Sequence, residues 1–337
     1  MSRTNRQWKL ARRPVGDIAA GDLELIESEV APLEEGEALI RNVYLSLDPT
    51  NRIWMSDMDQ YMPPVEVGDV MRGGTLGVVE ESRNPAYPEG ALVSGLGNWQ
   101  EYARVPEAMF QTFEKPDGVP LHAFQGVLGM IGVTAYFGLL DIAEPQEGET
   151  VVVSAAAGAV GSLVGQIAKI KGCHVVGIAG SDEKCAWLRE IGYDATINYK
   201  TENVLDALRE HCPKGIDVVF ENVGGEILDA SLTLINIGAR ISLCGLISQY
   251  NATEPVPGPY MFQNLLMKRA MVRGFIVTDY MPRFGEAIVQ LGQWMAEGKL
   301  QYRVDIVEGL ENAPEAVKKL FDGSNKGKLM VQVSEEP

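Results

Sequence analysis

Val151-Val152-Val153-Ser154-Ala155-Ala156-Ala157-Gly158-Ala159-Val160-Gly161 reads as a buried strand that passes through a turn of small residues into a helix. Only small residues let the backbone approach a pyrophosphate and then pack the new helix closely on a sheet. The unpaired amides of the first helical turn face such an anion. Ala156 stands at the first glycine position of the usual dinucleotide fingerprint, and Gly158 and Gly161 hold the other two. Gly165, one turn further along, suits close helix packing. An isolated GxxG is cheap and also starts helices that bind nothing. The strand before it, the helix after it and a second strand at His174–Ala179 raise the dinucleotide reading above that alternative.

The second strand refines the reading. An acid about twenty residues downstream normally accepts the ribose hydroxyls of NAD. Here the chain reads Ala179-Gly180-Ser181-Asp182-Glu183-Lys184. Gly180 at the strand end leaves room for a 2'-phosphate, and Lys184 supplies a point charge suited to one. Asp182 and Glu183 cut across this preference unless they serve the N-terminus of the next helix. The residues alone therefore lean toward the phosphorylated cofactor without deciding it.

Outward from this centre, apolar strand-like runs alternate with helical spacing over 151–277, which predicts a parallel sheet covered on both faces. Residues 1–125 differ: short runs such as 38–45, 74–80 and 91–96 are separated by glycine, proline and acids, as in a mainly β domain. With 337 residues, two domains are expected. We place one at 1–125 with 301–337 and the other at 126–300. The apolar segment 124–140 is broken by glycine and reads as a buried helix. The loop 55–67, with Tyr61, Met62, Pro63 and Pro64, either lines a ligand cleft or is held down by its apolar side chains.

Composition excludes several classes. A net charge of -17 repels nucleic-acid phosphates, although a local cluster of amides and lysines still accommodates an anionic ligand. No apolar run approaches the roughly 20 residues needed to cross a bilayer. The first eight residues lack the apolar core of a signal peptide. The four cysteines, Cys173, Cys185, Cys212 and Cys244, form no Cys-x-x-Cys pair. Reduced thiols in a cytoplasmic protein are the expectation. Residues 1–125 contain no cysteine and a single histidine, His122; with His174 and His211 elsewhere, no zinc ligand set is expected.

Taken together, a longer set of landmarks resembles a known family. They are Leu45-Ser46-Leu47-Asp48-Pro49, Val70-Met71-Arg72-Gly73-Gly74, Gly129-Met130-Ile131-Gly132-Val133-Thr134-Ala135-Tyr136, the glycine turn and Gly180–Lys184 in sequence, Asn198-Tyr199-Lys200, Glu221-Asn222-Val223-Gly224-Gly225 and Gly245-Leu246-Ile247-Ser248-Gln249-Tyr250-Asn251. The chain resembles the zinc-independent medium-chain dehydrogenases/reductases, in the branch of leukotriene B4 dehydrogenase/15-oxoprostaglandin reductases and curcumin or alkenal double-bond reductases. The resemblance runs almost end to end.

The resemblance implies an α/β protein: a GroES-like, mainly β catalytic domain and a Rossmann-type domain for NADPH, with the active site between them. A homodimer through the cofactor domains is implied as well. Lys184 and Tyr199 would take the 2'-phosphate side; Asn222, Asn325 and the amides around Gly158, Ala159 and Val160 would hold other parts of the cofactor. Backbone groups of Phe275 and Val277 would lie by the nicotinamide. Met130 and Thr134 would lie in the pocket or beside the nicotinamide as cofactor-binding residues, with ordinary packing at helical spacing a nearly equal alternative for Met130. Thr50 stands where much of the branch has a tyrosine that walls the substrate pocket.

The implied chemistry is hydride transfer from NADPH to the β-carbon of an α,β-unsaturated aldehyde or ketone, a small apolar electrophile. Charge then develops on the carbonyl oxygen, and Tyr250 is implied as its hydrogen-bond donor. Taken as a residue alone, Tyr250 reads more readily as a tyrosine that closes its own loop, and the surrounding Gly245–Asn251 motif reverses that order. The final proton comes from Tyr250, a ribose hydroxyl or solvent. A quinone oxidoreductase and a non-catalytic NADPH-binding redox sensor are the competing readings.

Overall fold

Residues 3–106 and 110–337 are described in a computed structural model; Met1, Ser2 and positions 107–109 lie outside the described residues. The chain divides into two compact units, Met1–Gln125 with Val304–Pro337, and Gly126–Arg303. In chain order the first unit opens with β1 (Thr4–Leu10), β2 (Leu23–Glu29), β3 (Ala38–Ser46), the short helix α1 (Thr50–Trp54), β4 (Thr75–Ser82), β5 (Leu92–Gly95), β6 (Tyr102–Val105) and β7 (Phe110–Phe113).

The second unit follows with α2 (Met130–Phe137), β8 (Thr150–Val153), α3 (Ala159–Ile170), β9 (His174–Ala179), α4 (Asp182–Glu190), β10 (Ala195–Asn198), α5 (Val204–His211), β11 (Ile216–Glu221), α6 (Gly225–Thr233), β12 (Ile235–Leu243), α7 (Gln263–Lys268), β13 (Met271–Gly274) and α8 (Phe284–Ala296). The chain then returns to the first unit with β14 (Val304–Glu308), α9 (Ala313–Asp322) and β15 (Lys328–Gln332).

In the first unit β3 is the organising strand. It pairs antiparallel with β4, β6 and β15, and almost all of its side chains are buried. The sheet runs β14-β15-β3-β4-β5-β7, so the returning segment completes it from the far end of the sequence. Leu45, Leu47, Met55, Met71, Trp99, Leu329 and Val331 form the core beneath it. Removing that apolar area from water drives the closure at roughly 25 cal/mol per Å².

The second unit carries a six-stranded, all-parallel sheet in the order β10-β9-β8-β11-β12-β13. β8 is buried throughout and β9 nearly so, because helices cover both faces. This is the strand order of a dinucleotide-binding fold, with its reversal between β8 and β11.

The segment 124–140, expected as one helix, is three pieces. A 3-10 turn at Leu121–Gln125 precedes α2, and α2 continues as a π-helical turn at Gly138–Ala143. Gly129, in extended conformation, restarts the helix. Glu144 ends it at φ 44°, in the left-handed region. The strand expected to reach 277 stops at Gly274, leaving Phe275 in a connection and Val277 opening a 3-10 helix.

Candidate cofactor site

The carboxyl ends of β8 and β11 meet at the point where strand order reverses, and the glycine turn leaves from the first of them. Ala155 takes φ 47°, a conformation L residues adopt at a cost, and its carbonyl accepts the Gly158 amide at 2.9 Å. Gly158 then caps α3 in extended conformation and offers no side chain to the first-turn amides. A Cβ on Gly161 would lie 2.5 Å from the Ala155 oxygen and 2.8 Å from the Ala156 Cα. One on Gly158 would lie 3.1 Å from the same oxygen. Ala156 is fully buried, with its amide on the Ile178 carbonyl at 2.9 Å, while Ala159 and Val160 are half-buried at the helix start. Backbone, not side chain, therefore surrounds the helix N-terminus, which fits a pyrophosphate.

Tyr193 holds this turn, and sequence reasoning missed it. Its hydroxyl donates to the Gly161 carbonyl at 2.7 Å. Its ring fills the notch at Gly165, where a Cβ would come within 2.0 Å of it. The only signal in the sequence was the pair of glycines, Gly165 and Gly177, that leave the ring its space.

At the next strand, Gly180 follows β9 directly beneath Tyr199: a Cβ there would lie 3.0 Å from the tyrosine ring. Tyr199 itself is 42% exposed. Ser181 caps α4 by accepting the Lys184 amide at 3.2 Å, which places Lys184 in the first turn beside Gly180. Asp182, whose charge had complicated the reading, accepts the Asn198 amide group at 2.8 Å. Gly180, Lys184 and Tyr199 are thus brought to one end of the sheet.

At β11, Asn222 gives its side-chain amide to the Ser154 carbonyl at 2.7 Å, joining the turn after β11 to the start of the glycine turn. Glu221 is completely buried there; burial pushes its carboxyl up from the usual range, against hydrogen bonds from Gly224, Val223 and Ser154 that pull it down. Burial likewise pushes the neighbouring Cys244 thiol up to about 12. Tyr250 ends the 3-10 turn Ile247–Gln249, and its hydroxyl accepts the Leu246 amide at 3.0 Å, so it does close its own loop.

Met130 opens α2 and is 47% exposed, which removes core packing within its unit as its role. Thr134 turns its hydroxyl onto the Met130 carbonyl at 2.7 Å. The Phe275 ring stands edge-on to Phe220, with centroids 6.5 Å apart, and a Cβ on Gly138 would clash with it at 2.4 Å. Asn325 belongs to the other unit, where its side chain donates to the Gly327 carbonyl at 3.0 Å.

In that same unit Thr50 bonds the Tyr61 hydroxyl. The loop 55–67 is pinned by apolar anchors and by arginines: Met55 and Val65 are buried in the core with Met62 packed against it, and Arg13 donates to the Met55, Ser56 and Val65 carbonyls and Arg72 to that of Pro63. His174 is structural, with Nε2 against the His211 carbonyl at 2.9 Å. Among the described residues, no group of three or more His, Cys, Asp or Glu is placed to hold a metal ion.

The family described as "N-terminal domain of oxidoreductase" matches residues 6–113, and that described as "Zinc-binding dehydrogenase" matches 159–294. An NADPH-dependent curcumin reductase of Escherichia coli (strain K12) is 47% identical over 337 residues, covering 98% of this chain and 97% of that protein. The chain belongs to the medium-chain dehydrogenase/reductase family. Within that family it lies in the curcumin- and prostaglandin-reductase branch: prostaglandin reductase 1 of Bos taurus is 43% identical, covering 97% of this chain and 98% of the relative. Among solved members, CurA of Vibrio vulnificus in complex with NADPH superimposes with a TM-score of 0.93 at 47% identity, covering 98% and 100% of the two chains.

Proposed function

We propose that this chain is an NADPH-dependent reductase of the activated carbon–carbon double bond in α,β-unsaturated aldehydes or ketones, working without a metal. The observation that carries the reading is the glycine turn opening onto an uncapped α3, in a chain 47% identical to an NADPH-dependent curcumin reductase. Bound at that helix start, NADPH supplies the hydride that the substrate β-carbon accepts. The first-turn amides of α3 hold the pyrophosphate, and Lys184 with Tyr199 takes the 2'-phosphate. Met130, Thr134, Asn222, Phe275, Val277 and Asn325 complete the cofactor contacts in this reading.

As the hydride arrives, negative charge develops on the carbonyl oxygen. A donor already aimed at that oxygen lowers the barrier without reorganising. We assign this role to Tyr250, whose oxygen accepts the Leu246 amide and whose ring orientation is thereby set. A proton at the α-carbon completes the saturated carbonyl product. Metal independence rests on the donor set, since residues 1–125 offer one histidine and no cysteine.

We further propose a homodimer through the second unit, in the cytoplasm. β13 is the last strand of its sheet, Met271 and Val272 on it are exposed, and so are Phe262 and Leu266 of the α7 segment before it. The cytoplasmic assignment rests on four unpaired cysteines.

The decisive experiment is NADPH oxidation with a panel of enals, enones and quinones, with NADH and a metal chelator run in parallel. We expect enone and enal turnover that favours NADPH and ignores the chelator. Turnover of quinones alone would make the chain a quinone oxidoreductase, and tight NADPH binding with no turnover would make it a sensor.

A further inference from the structure

The chemistry proposed above makes no use of Glu221, yet this completely buried carboxyl gathers three hydrogen bonds on one oxygen. Its Oε1 accepts from the Ser154 hydroxyl at 2.9 Å, the Val223 amide at 2.5 Å and the Gly224 amide at 2.7 Å. Gly224 is the N-cap of α6. The carboxyl therefore takes the N-cap amide of α6, which at α3 goes to a backbone oxygen, that of Ala155.

The same turn is held from its other side. The Glu221 carbonyl accepts the Cys244 and Gly245 amides at 2.9 and 3.1 Å. The Asn222 carbonyl accepts the Ile247 amide and the Val223 carbonyl the Ser248 amide, both at 3.1 Å. That segment ends on Tyr250. Toward β8, the Ser154 hydroxyl accepts the Asn222 amide at 2.8 Å. One buried carboxyl thus stands where three segments meet: the start of the glycine turn, the Asn222 turn and the loop that carries Tyr250.

We propose that Glu221 is a positioning residue of the reductase, whose carboxyl holds the Val223 and Gly224 amides ahead of α6 and fixes Asn222 and the Tyr250 loop against the glycine turn. The inference rests on the reductase reading for its effect on turnover, but not for its effect on the loop. All three donors converge on one oxygen, so an acceptor of the same reach is what the site requires. Glutamine keeps that oxygen. Alanine removes it and leaves the buried Gly224 amide and the half-buried Val223 amide without their acceptor, and the Ser154 hydroxyl with only its longer contact to the Phe220 carbonyl. Aspartate is one methylene too short to reach all three.

The test compares Glu221→Ala, Glu221→Asp and Glu221→Gln with the unchanged chain. It uses amide hydrogen exchange, NADPH affinity from nicotinamide fluorescence, and enone turnover. In the alanine and aspartate proteins we expect exchange in 244–250 to speed up by about tenfold or more. Exchange in 155–162 should stay unchanged. Turnover number should fall about tenfold, with NADPH affinity moving less than about threefold. Glutamine should restore both loop protection and turnover to within about threefold. Should the alanine protein fail to fold, the aspartate and glutamine pair carries the comparison.

Unchanged exchange in 244–250 overturns the proposal. So does a glutamine protein as impaired as the alanine one, or a loss of NADPH affinity equal to the loss of turnover. If the unchanged chain reduces no enone, the reductase reading fails, and the exchange result still decides the role of Glu221.

Discussion

Two helices start from the same edge of the six-stranded sheet, α3 after β8 and α6 after β11, and they hold their N-cap amides in different ways. Each begins with a glycine cap and a first turn of unpaired amides, and each carries the partial positive charge of a helix start. At α3 the space ahead of those amides is bounded by Ala155, Ala156 and Gly158, with no side chain entering it from the cap. At α6 the chain supplies its own acceptor, Glu221, three residues before the cap. A backbone oxygen, that of Ala155, holds the N-cap amide at α3, and a side chain, that of Glu221, holds it at α6. In the proposed enzyme this separates two tasks, cofactor binding at α3 and support of the reacting end at α6.

The largest break in that separation comes from closing the open helix. Gly161→Val places a branched side chain where even a Cβ meets the Ala155 carbonyl at 2.5 Å, and that neighbour is backbone. NADPH affinity measured by fluorescence should fall by about a hundredfold. The apparent melting temperature should drop as well, because the turn must shift. Binding left intact would show that the α3 start is not where the cofactor phosphates go. In the loop held by the turn before α6, Tyr250→Phe should lower enone turnover about thirtyfold and leave NADPH affinity within about twofold. Equal turnover would remove the phenol from the reaction and leave loop closure as its whole role.

A finer test sits within the glycine turn. Gly158→Ala adds a methyl group 3.1 Å from the Ala155 oxygen, a contact relieved by a shift of a few tenths of an ångström. NADPH affinity should weaken about tenfold with little change in melting temperature. A loss as deep as that of Gly161→Val would mean that the methyl group blocks the anion itself and not merely the turn.

The same contrast explains what could be read in the sequence. The α3 site was legible because its requirements are local: a strand, contiguous small residues from 155 to 161, and a helix. The alternation of strands and helices gave the parallel sheet, although its order depends on pairings that no short window contains. The α6 side was hidden because its partners are distant, with Ser154 and Glu221 lying 67 residues apart in the chain. Tyr193 was hidden for the same reason, 32 residues from the Gly161 carbonyl it bonds. The segment 124–140 misread as one helix because its apolar content suits any buried helical geometry. Only the backbone divides it, at Gly129 and again at Gly138, where the π-helical turn begins.

The smallest expected effect tests the phosphate end of the same sheet edge. Lys184 lies in the first turn of α4 with Asp182 and Glu183, so its charge acts among two acids of opposite sign. Asp182 is engaged by Asn198, yet its charge remains within the same turn. The lysine is only half-buried, and water screens a charge so placed, which limits such pairs to about 1 kcal/mol. Lys184→Ala should therefore lower the preference for NADPH over NADH, taken as the ratio of kcat/KM values, by about fivefold. Most of the change should appear in the KM for NADPH, because the 2'-phosphate is remote from the reacting carbon. An NADH KM that rose equally would place Lys184 on a part of the cofactor common to both nucleotides. A ratio that stayed constant would shift the burden of discrimination to Gly180 and Tyr199, where the absent side chain and the overlying ring set the available space.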